Sequence, residues 1–461
     1  MNATPTSSAA AASSARRTNV RYWILALIFI VTTVNYADRA TLSITGPAMR
    51  DEFGFSAVQM GYIFSAFSWS YVMAQIPGGW LLDRFGARRI YAVSIFLWSF
   101  FTLLQGWVGI FASMGATMTV LFMLRFAVGL AESPAFPANA KVVASWFPTA
   151  ERGTASAIFN AAQYFAAVVF TPLMAWIVHT MGWHHVYLWM GIMGMLLAML
   201  WLKVMRSPAT HSGVNRAELE HIEQGGGLIH MNEGADKEQK GAQNGARKAA
   251  NPAGWFYAKQ LLSNRMLAGV YLGQYCINVL TYFFLTWFPV YLVQARGMSI
   301  LKAGFVASLP AICGFLGGVL GGVISDFLLR RGYSLTVARK VPIVAGMLLS
   351  VSMVACNYVD AEWLVVGIMA LAFFGKGIGA LGWAVVADTA PKEVIGLAGS
   401  IFNTFGNIAG IVTPIVIGYI LSATGSFNGA LVFVGINALV TVLSYLVIVK
   451  DIRRVELKHP Q

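Results

Sequence analysis

The chain has 461 residues and a formal net charge of +13, and 57% of its residues are hydrophobic while only 11% are charged. Soluble domains carry about 25% charged residues, so this composition excludes an ordinary soluble protein. A membrane-spanning helix needs about 20 apolar residues, and the apolar stretches predict an all-α integral membrane protein with twelve transmembrane helices in two six-helix bundles.

In chain order the sequence predicts two bundles separated and flanked by polar segments. These are a disordered tail (1–21), an N-terminal six-helix bundle (22–205), a linker loop (206–265), a C-terminal six-helix bundle (266–450) and a second tail (451–461). Arg16 and Arg17 resemble a twin-arginine export signal. The apolar segment after them is too long for a signal peptide and lacks a cleavage site, so an uncleaved first helix is the preferred interpretation.

The basic residues are distributed unequally between the two sides of the predicted bundle. Of the 32 basic residues, we place 26 in the tails, the linker and alternate loops, and only Arg50, Arg296 and Lys302 on the opposite side. Loops rich in Lys and Arg stay in the cytoplasm. The pattern therefore predicts that both termini and the linker are cytoplasmic. The orientation of the chain in the membrane accounts for its positive charge, so we predict no nucleic-acid partner.

The two bundles are copies of one unit. Polar residues and prolines recur at an offset of 243 positions, and Ile158-Phe159-Asn160 returns as Ile401-Phe402-Asn403. Other pairs at this offset are Asn35 with Asn278, Asp83 with Asp326, and Pro148 with Pro391. Parallel six-helix repeats are the architecture of a large class of transporters, in which the ligand site lies at the membrane midplane between the repeats.

The loop after the second predicted helix contains a motif of glycine, acid and cations. It reads Gly79-x-x-x-Asp83-Arg84-x-Gly86-x-Arg88-Arg89, and a weaker copy contains Asp326. This motif resembles the signature of the major facilitator superfamily. The resemblance implies that Gly79, Asp83, Arg84, Arg88, Arg89 and Asp326 form a conformational latch between the two halves. A simple positively charged cytoplasmic loop is the alternative.

Five ionisable residues fall within the predicted spans: Asp38, Arg39, Arg125, Glu132 and Lys376. Each would cost roughly 2.5–3.5 kcal/mol at the centre of a lipid-facing helix, so these side chains are expected to face the bundle interior. Ion pairs between Asp38 and Arg125, or between Glu132 and Arg39, are a purely structural alternative. Pairing both acids still leaves one cation, which an anionic ligand would compensate.

Other chemistries find no support in the sequence. The three cysteines are scattered over apolar segments and indicate neither a disulfide framework nor a metal site. The sequence contains no phosphate-binding loop and no Ser/His/Asp constellation. We therefore predict no cofactor, no metal and no enzymatic activity.

A narrower resemblance comes from Asn35-Tyr36-Ala37-Asp38-Arg39, Arg125-Phe126-x-x-Gly129-x-x-Glu132 and Trp146-Phe147-Pro148-x-x-Glu151-Arg152-Gly153. These motifs resemble the anion:cation symporter family. Around Gln274-Tyr275-Cys276 and Phe373-Phe374-Gly375-Lys376 the chain is most similar to bacterial glucarate/galactarate permeases. The resemblance implies proton-coupled uptake of a sugar-acid anion across the bacterial inner membrane.

The resemblance also implies roles for individual residues. Arg39 matches the arginine that binds the substrate carboxylate, with Arg125 as its supporting cation, and Asp38 and Glu132 match the protonatable acids. Pocket-lining positions are matched by Tyr36, Tyr71, Gln163, Gln274, Trp383 and Asn403. For each of these six, a structural contact between helices is the alternative.

Lys376 suggests a dicarboxylate substrate, because it is the only cation that the second half places within the membrane. One cation in each half would match the two carboxylates of an aldarate. A structural bridge between Lys376 and Glu132 is the alternative. Other candidate functions are symport of an aldonate such as galactonate, symport of a hexuronate, and a non-transporting membrane sensor. The expected partners are the organic anion, protons and the lipid bilayer, and the expected state is a monomer.

Overall fold

The computed structural model describes residues 17–111, 113–149, 151–229, 252–391 and 394–457, and these residues are helical almost throughout. Most of the predicted N-terminal tail, the centre of the linker and Lys458 to Gln461 lie outside the described residues. Within the ranges described, no β-strand occurs.

Seven helices form the first half. They are α1 (Val20–Phe53), α2 (Ala57–Phe85), α3 (Ala87–Gln105), α4 (Met114–Glu132), α5 (Ala135–Trp146), α6 (Arg152–Met181) and α7 (Trp183–Val204). Helices α4 and α5 form one span, which is interrupted at Ser133 and Pro134, where proline lacks the amide that an unbroken helix would use. The first half therefore has six spans.

The second half repeats this arrangement after two linker helices, α8 (Arg216–Gln224) and α9 (Pro252–Ser263). Its helices are α10 (Arg265–Tyr282), α11 (Phe288–Gln294), α12 (Ile300–Arg330), α13 (Leu335–Ser350), α14 (Glu362–Ile378), α15 (Gly382–Thr389), α16 (Ile395–Thr424) and α17 (Asn428–Leu443). A π-helical turn, Phe283–Trp287, joins α10 to α11 in one span. Helices α14 and α15 likewise share a span, interrupted after Ile378.

Eleven helical segments in the described part of the chain are long and apolar enough to cross a membrane. Helix α2 is the twelfth long segment, with 29 residues. It contains the buried serines Ser65, Ser68 and Ser70. These serines face the protein and not the lipid, and the helix is long enough to cross the membrane.

The two halves contact each other at the end of the bundle opposite the linker, which we call the far end. There the hydroxyls of Tyr62 in α2 and Tyr419 in α16 are 3.2 Å apart, and Gly304 in α12 packs against Ala175 in α6. At the other end, which we call the linker end, a β-carbon on Gly79 or Gly322 would meet no atom within 4 Å. The two halves are thus joined at the far end.

The first part of the linker is anchored to the first half by buried charges. Glu218 in α8 is fully buried and accepts a hydrogen bond from the guanidinium of Arg21 at 3.2 Å. Arg21 also contacts Glu151 at 3.2 Å, and His221 lies 3.1 Å from the other oxygen of Glu151. This network holds α8 against the linker end of α1 and α6.

Candidate functional site

The interior charges of the first half meet where α1 and α4 pack together. The Arg39 Nε donates a hydrogen bond to Glu132 Oε2 at 2.8 Å, and the side chains are 9% and 0% exposed. Of the two ion pairs left open by the sequence, the structure contains Arg39–Glu132.

Asp38 and Arg125 complete this charged cluster without forming a direct ion pair. Asp38 Oδ2 accepts a hydrogen bond from the Thr102 hydroxyl of α3 at 2.6 Å. The Arg125 guanidinium donates long hydrogen bonds to the backbone carbonyls of Asp38 and Arg39, at 3.5 and 3.4 Å. Both side chains are almost fully buried. Arg125 therefore supports the turn of α1 that presents Arg39.

The cluster keeps unused bonding capacity. Within the described residues, Arg39 Nη2, Arg125 Nε, Asp38 Oδ1 and Glu132 Oε1 have no hydrogen-bond partner. Buried polar atoms are nearly always paired with protein or water. The arrangement can therefore accept an anion at the guanidinium groups and protons at the two carboxylates.

Aromatic rings enclose Arg39. Its guanidinium carbon lies 5.0 Å from the Tyr36 ring centre, 4.7 Å from that of Phe67 and 4.9 Å from that of Tyr71. These distances fall within the range of cation–π attraction. The rings hold the guanidinium in one orientation, and the structure thereby brings the predicted residues Tyr36 and Tyr71 to Arg39.

Lys376 is the buried cation of the second half. It lies in the last turn of α14, is 7% exposed, and its Nζ is 5.0 Å from the Phe373 ring centre. Among the described residues no carboxylate pairs with it. The alternative bridge between Lys376 and Glu132 is not formed in this conformation, in which Glu132 Oε2 is bound to Arg39.

Tyr164 of α6 connects the surroundings of the two cations. A β-carbon on Gly318 would lie 3.9 Å from both the Tyr164 hydroxyl and the carbonyl of Gly377, the residue after Lys376. Tyr164 also lies in the neighbourhood of Tyr36, which contacts Arg39. Tyr164 is thus near both the turn of α14 that carries Lys376 and the Tyr36 ring beside Arg39.

Three of the predicted pocket residues gather in the second half. Gln274 in α10 donates a hydrogen bond to Asn278 Oδ1 at 3.4 Å, and its own oxygen approaches Gly382. Trp383 packs edge-on against Phe402, with ring centres 5.0 Å apart, and Asn403 follows Phe402 on α16. Gln163 is partly buried on α6 and donates a hydrogen bond to the Asn160 carbonyl of its own helix.

The predicted latch residues contact their own half in this conformation. The Arg84 guanidinium packs on the Trp80 and Phe85 rings, and Arg88 donates a hydrogen bond to the Leu202 carbonyl. Arg89 and Asp326 are exposed, and the Asp83 side chain lies outside the described part of the structure. The latch remains a prediction for a conformation in which the linker ends of the two halves meet.

Sequence reasoning did not identify Thr102, Phe67 and Asn407 as neighbours of the site. Thr102 holds Asp38, Phe67 supports Arg39, and Asn407 accepts a hydrogen bond from the Tyr282 hydroxyl at 3.1 Å. A threonine or phenylalanine in an apolar helix gives no signal of its own. At the repeat offset of 243 positions, Tyr282 is the uncharged equivalent of Arg39.

Comparisons with known proteins show what the chain as a whole is similar to. The sequence model of the Major Facilitator Superfamily matches residues 28–338. The chain is 63% identical to the probable galactarate/D-glucarate transporter GudP of Escherichia coli K12, over 98% of each chain. It is 40% identical to a D-galactonate transporter of E. coli O6:H1, over 94% of this chain and 97% of that one.

Among solved structures, the fold is similar to that of a bacterial homolog of the human lysosomal transporter Spinster. The TM-score is 0.71 at 14% sequence identity, and the match covers 94% of this chain and 97% of the other.

Proposed function

The chain belongs to the major facilitator superfamily, and from this premise we propose that it imports a sugar-acid dicarboxylate, glucarate or galactarate, together with protons by alternating access. The observation that carries the proposal is the division of buried charge between the halves. The first half holds the Arg39–Glu132 pair, and the second half holds the unpaired Lys376.

Proton coupling follows from competition for one guanidinium. Glu132 occupies the Nε of Arg39, while Nη2 has no partner among the described residues. An ionised Glu132 competes with a substrate carboxylate for the positive charge of Arg39, and it occupies the Nε donor that a side-on contact with two hydrogen bonds would use. Protonation of Glu132 removes its negative charge and so weakens its hydrogen bond to Arg39. Substrate and proton therefore bind together.

Charge balance supports an anionic substrate. Asp38 and Glu132 offset Arg39 and Arg125, and Lys376 leaves one further positive charge in the interior. An uncompensated buried charge is costly. When the two acids are protonated, the excess rises to three positive charges, and a dicarboxylate lowers it to one. Binding of the anion thus lowers the electrostatic cost of binding the protons, and binding of the protons lowers the cost of binding the anion.

A dicarboxylate also explains the placement of Lys376. Arg39 lies in the first half and Lys376 in the second, with Tyr164 near the turn that carries Lys376 and near Tyr36 beside Arg39. A six-carbon chain with a carboxylate at each end can contact one cation in each half. Such a ligand binds differently when the halves reorient, as a transport cycle requires. The 40% identity to a D-galactonate transporter makes a monocarboxylate aldonate the second candidate.

We place the linker end in the cytoplasm of a bacterial inner membrane and treat the protein as a monomer. The 26 basic residues that the sequence assigns to that side support the orientation. In this orientation, the contacts at the far end close the periplasmic side. The conformation described is then the one that releases substrate inward.

Replacing Lys376 with methionine tests the dicarboxylate proposal. A hydrogen bond to a charged group contributes about 1.5–3 kcal/mol, so we expect glucarate and galactarate uptake to fall about tenfold or more. Galactonate uptake should be unchanged or higher, because a monocarboxylate does not need the second cation. Initial uptake rates in proteoliposomes measure both.

Lys302→Met is the matched control, since Lys302 is half exposed at the far end and pairs with Glu362. An exposed pair of this kind contributes about 1 kcal/mol at most, and uptake should stay near wild type. A folded Lys376→Met protein with wild-type glucarate uptake would contradict the assignment of Lys376 to the substrate site.

A further inference from the structure

A group of buried polar side chains lies on the linker side of Glu132, between α1, α3 and α5. Asn35 is 1% exposed, and neither its amide nitrogen nor its amide oxygen has a hydrogen-bond partner in the described residues. The same holds for the hydroxyl of Tyr91, which is fully buried, and for the amide oxygen of Asn139. The mechanism above uses none of these groups.

We call Thr32, Asn35, Tyr91 and Asn139 the polar row; they come from α1, α3 and α5, which pack together. Asn35 lies one turn before Asp38 on α1 and Thr32 one turn before Asn35, so the row extends about 9 Å toward the linker end. Asn139 Nδ2 donates a hydrogen bond to the Thr32 hydroxyl at 2.9 Å. Tyr91 lies near both of them and near Glu132.

Packing does not explain why these positions are polar. Tyr91 contacts Trp201 and Trp98, with ring centres 4.7 and 6.2 Å apart, so a phenylalanine would fill the same space. A buried polar group without a partner costs about 1–3 kcal/mol. Buried water, which makes about three hydrogen bonds to such groups, removes this cost. The row has the composition of a site for a short chain of water molecules.

We propose that Thr32, Asn35, Tyr91 and Asn139 hold a water chain that carries the Glu132 proton to the linker end, along a route separate from that of the substrate. Glu132 has one oxygen on Arg39 and its other oxygen, Oε1, unpartnered among the described residues. On release, the carboxyl O–H bond breaks and its proton passes to the adjacent water. The last water of the chain gives a proton to the solvent. The resulting Glu132 carboxylate then binds the Arg39 guanidinium, from which the substrate has dissociated.

This inference rests on the proposed proton coupling, and two variants test it: Asn35→Leu and Tyr91→Phe. Two assays in proteoliposomes separate the steps. Counterflow exchanges labelled for unlabelled glucarate through the loaded carrier, and it requires no net release of protons. Uptake driven by a pH gradient, followed together with acidification of the lumen by a trapped pH dye, requires a proton to leave Glu132 in every cycle.

We expect both variants to retain counterflow and thermal stability, and to lose gradient-driven uptake and lumen acidification about tenfold. Tyr91→Phe removes only one unpartnered hydroxyl, so it should fold as well as the wild type. Asn437→Leu is the matched control: Asn437 is a buried asparagine in α17 that donates a hydrogen bond to its own helix, to the Phe433 carbonyl. It should leave both assays unchanged.

The outcomes separate this route from the proposed function. Wild-type protein that exchanges glucarate but moves no protons would overturn the proposed function and the route with it. A coupled wild type with fully coupled Asn35→Leu and Tyr91→Phe variants would overturn the route alone. Equal losses of counterflow and gradient-driven uptake in both variants would also overturn it, because these residues would then be structural.

Discussion

Replacing Arg39 with lysine is expected to abolish glucarate uptake while leaving expression and membrane insertion intact. The Arg39 guanidinium binds Glu132 through Nε, lies against three aromatic rings and keeps Nη2 for a further bond. A planar guanidinium can bind a carboxylate through two parallel hydrogen bonds, whereas an ammonium group is a point charge. Lysine keeps the charge that Glu132 needs but loses this geometry.

The loss should amount to about 100-fold or more in the apparent affinity for glucarate, the equivalent of about 3 kcal/mol. Ligand-dependent thermal stabilisation and initial uptake rates of the purified protein measure it. Arg265→Lys is the matched control, because Arg265 is exposed at the linker end and donates a hydrogen bond to the Val447 carbonyl. Wild-type glucarate affinity in Arg39→Lys would remove Arg39 from the binding site.

The acids Asp38 and Glu132 should have the second-largest effect when they are neutralised. Asp38→Asn and Glu132→Gln keep the shape of the protonated acids, but neither can ionise again. Glutamine at position 132 cannot form the ion pair that the Glu132 carboxylate forms with Arg39 at 2.8 Å. Asparagine at position 38 lacks the negative charge of the Asp38 carboxylate, which accepts a hydrogen bond from Thr102. We expect accumulation driven by a pH gradient to disappear, while counterflow persists.

Glu220→Gln is the control for these acids, because Glu220 pairs with Arg216 on the exposed surface of α8 and should not affect coupling. Accumulation ratios with and without an imposed gradient are the measurement. If Asp38→Asn and Glu132→Gln both still accumulate glucarate against its gradient, the competition for Arg39 is not the coupling mechanism.

Much of this architecture could be predicted from the sequence because the membrane restricts what a charged residue can do. The cost of placing Asp38, Arg39, Arg125 and Glu132 in lipid predicted that they face the interior. The structure buries three of them and leaves the Arg39 side chain only 9% exposed. The repeat offset predicted two equivalent halves. The superfamily match and the fold confirm that expectation.

The pairing within the cluster could not be predicted, because it depends on how each helix is rotated about its axis. The carboxylate of Asp38 faces Thr102, which lies 64 positions away on α3, and this orientation leaves Arg39 to Glu132. For the same reason, the sequence does not predict that Asn35, Tyr91 and Asn139 belong to one group. Nothing in the sequence connects these three residues, because they lie on the separate helices α1, α3 and α5.

The most direct test of this account is accumulation of radiolabelled glucarate by the purified protein in proteoliposomes, with the exterior more acidic than the lumen. Galactarate, galactonate and a hexuronate serve as competitors. The account predicts that glucarate accumulates above its equilibrium level only while the gradient lasts, collapses on addition of a protonophore, and is displaced best by galactarate. Uptake that ignores the gradient, or that galactonate inhibits more strongly than galactarate, would contradict it.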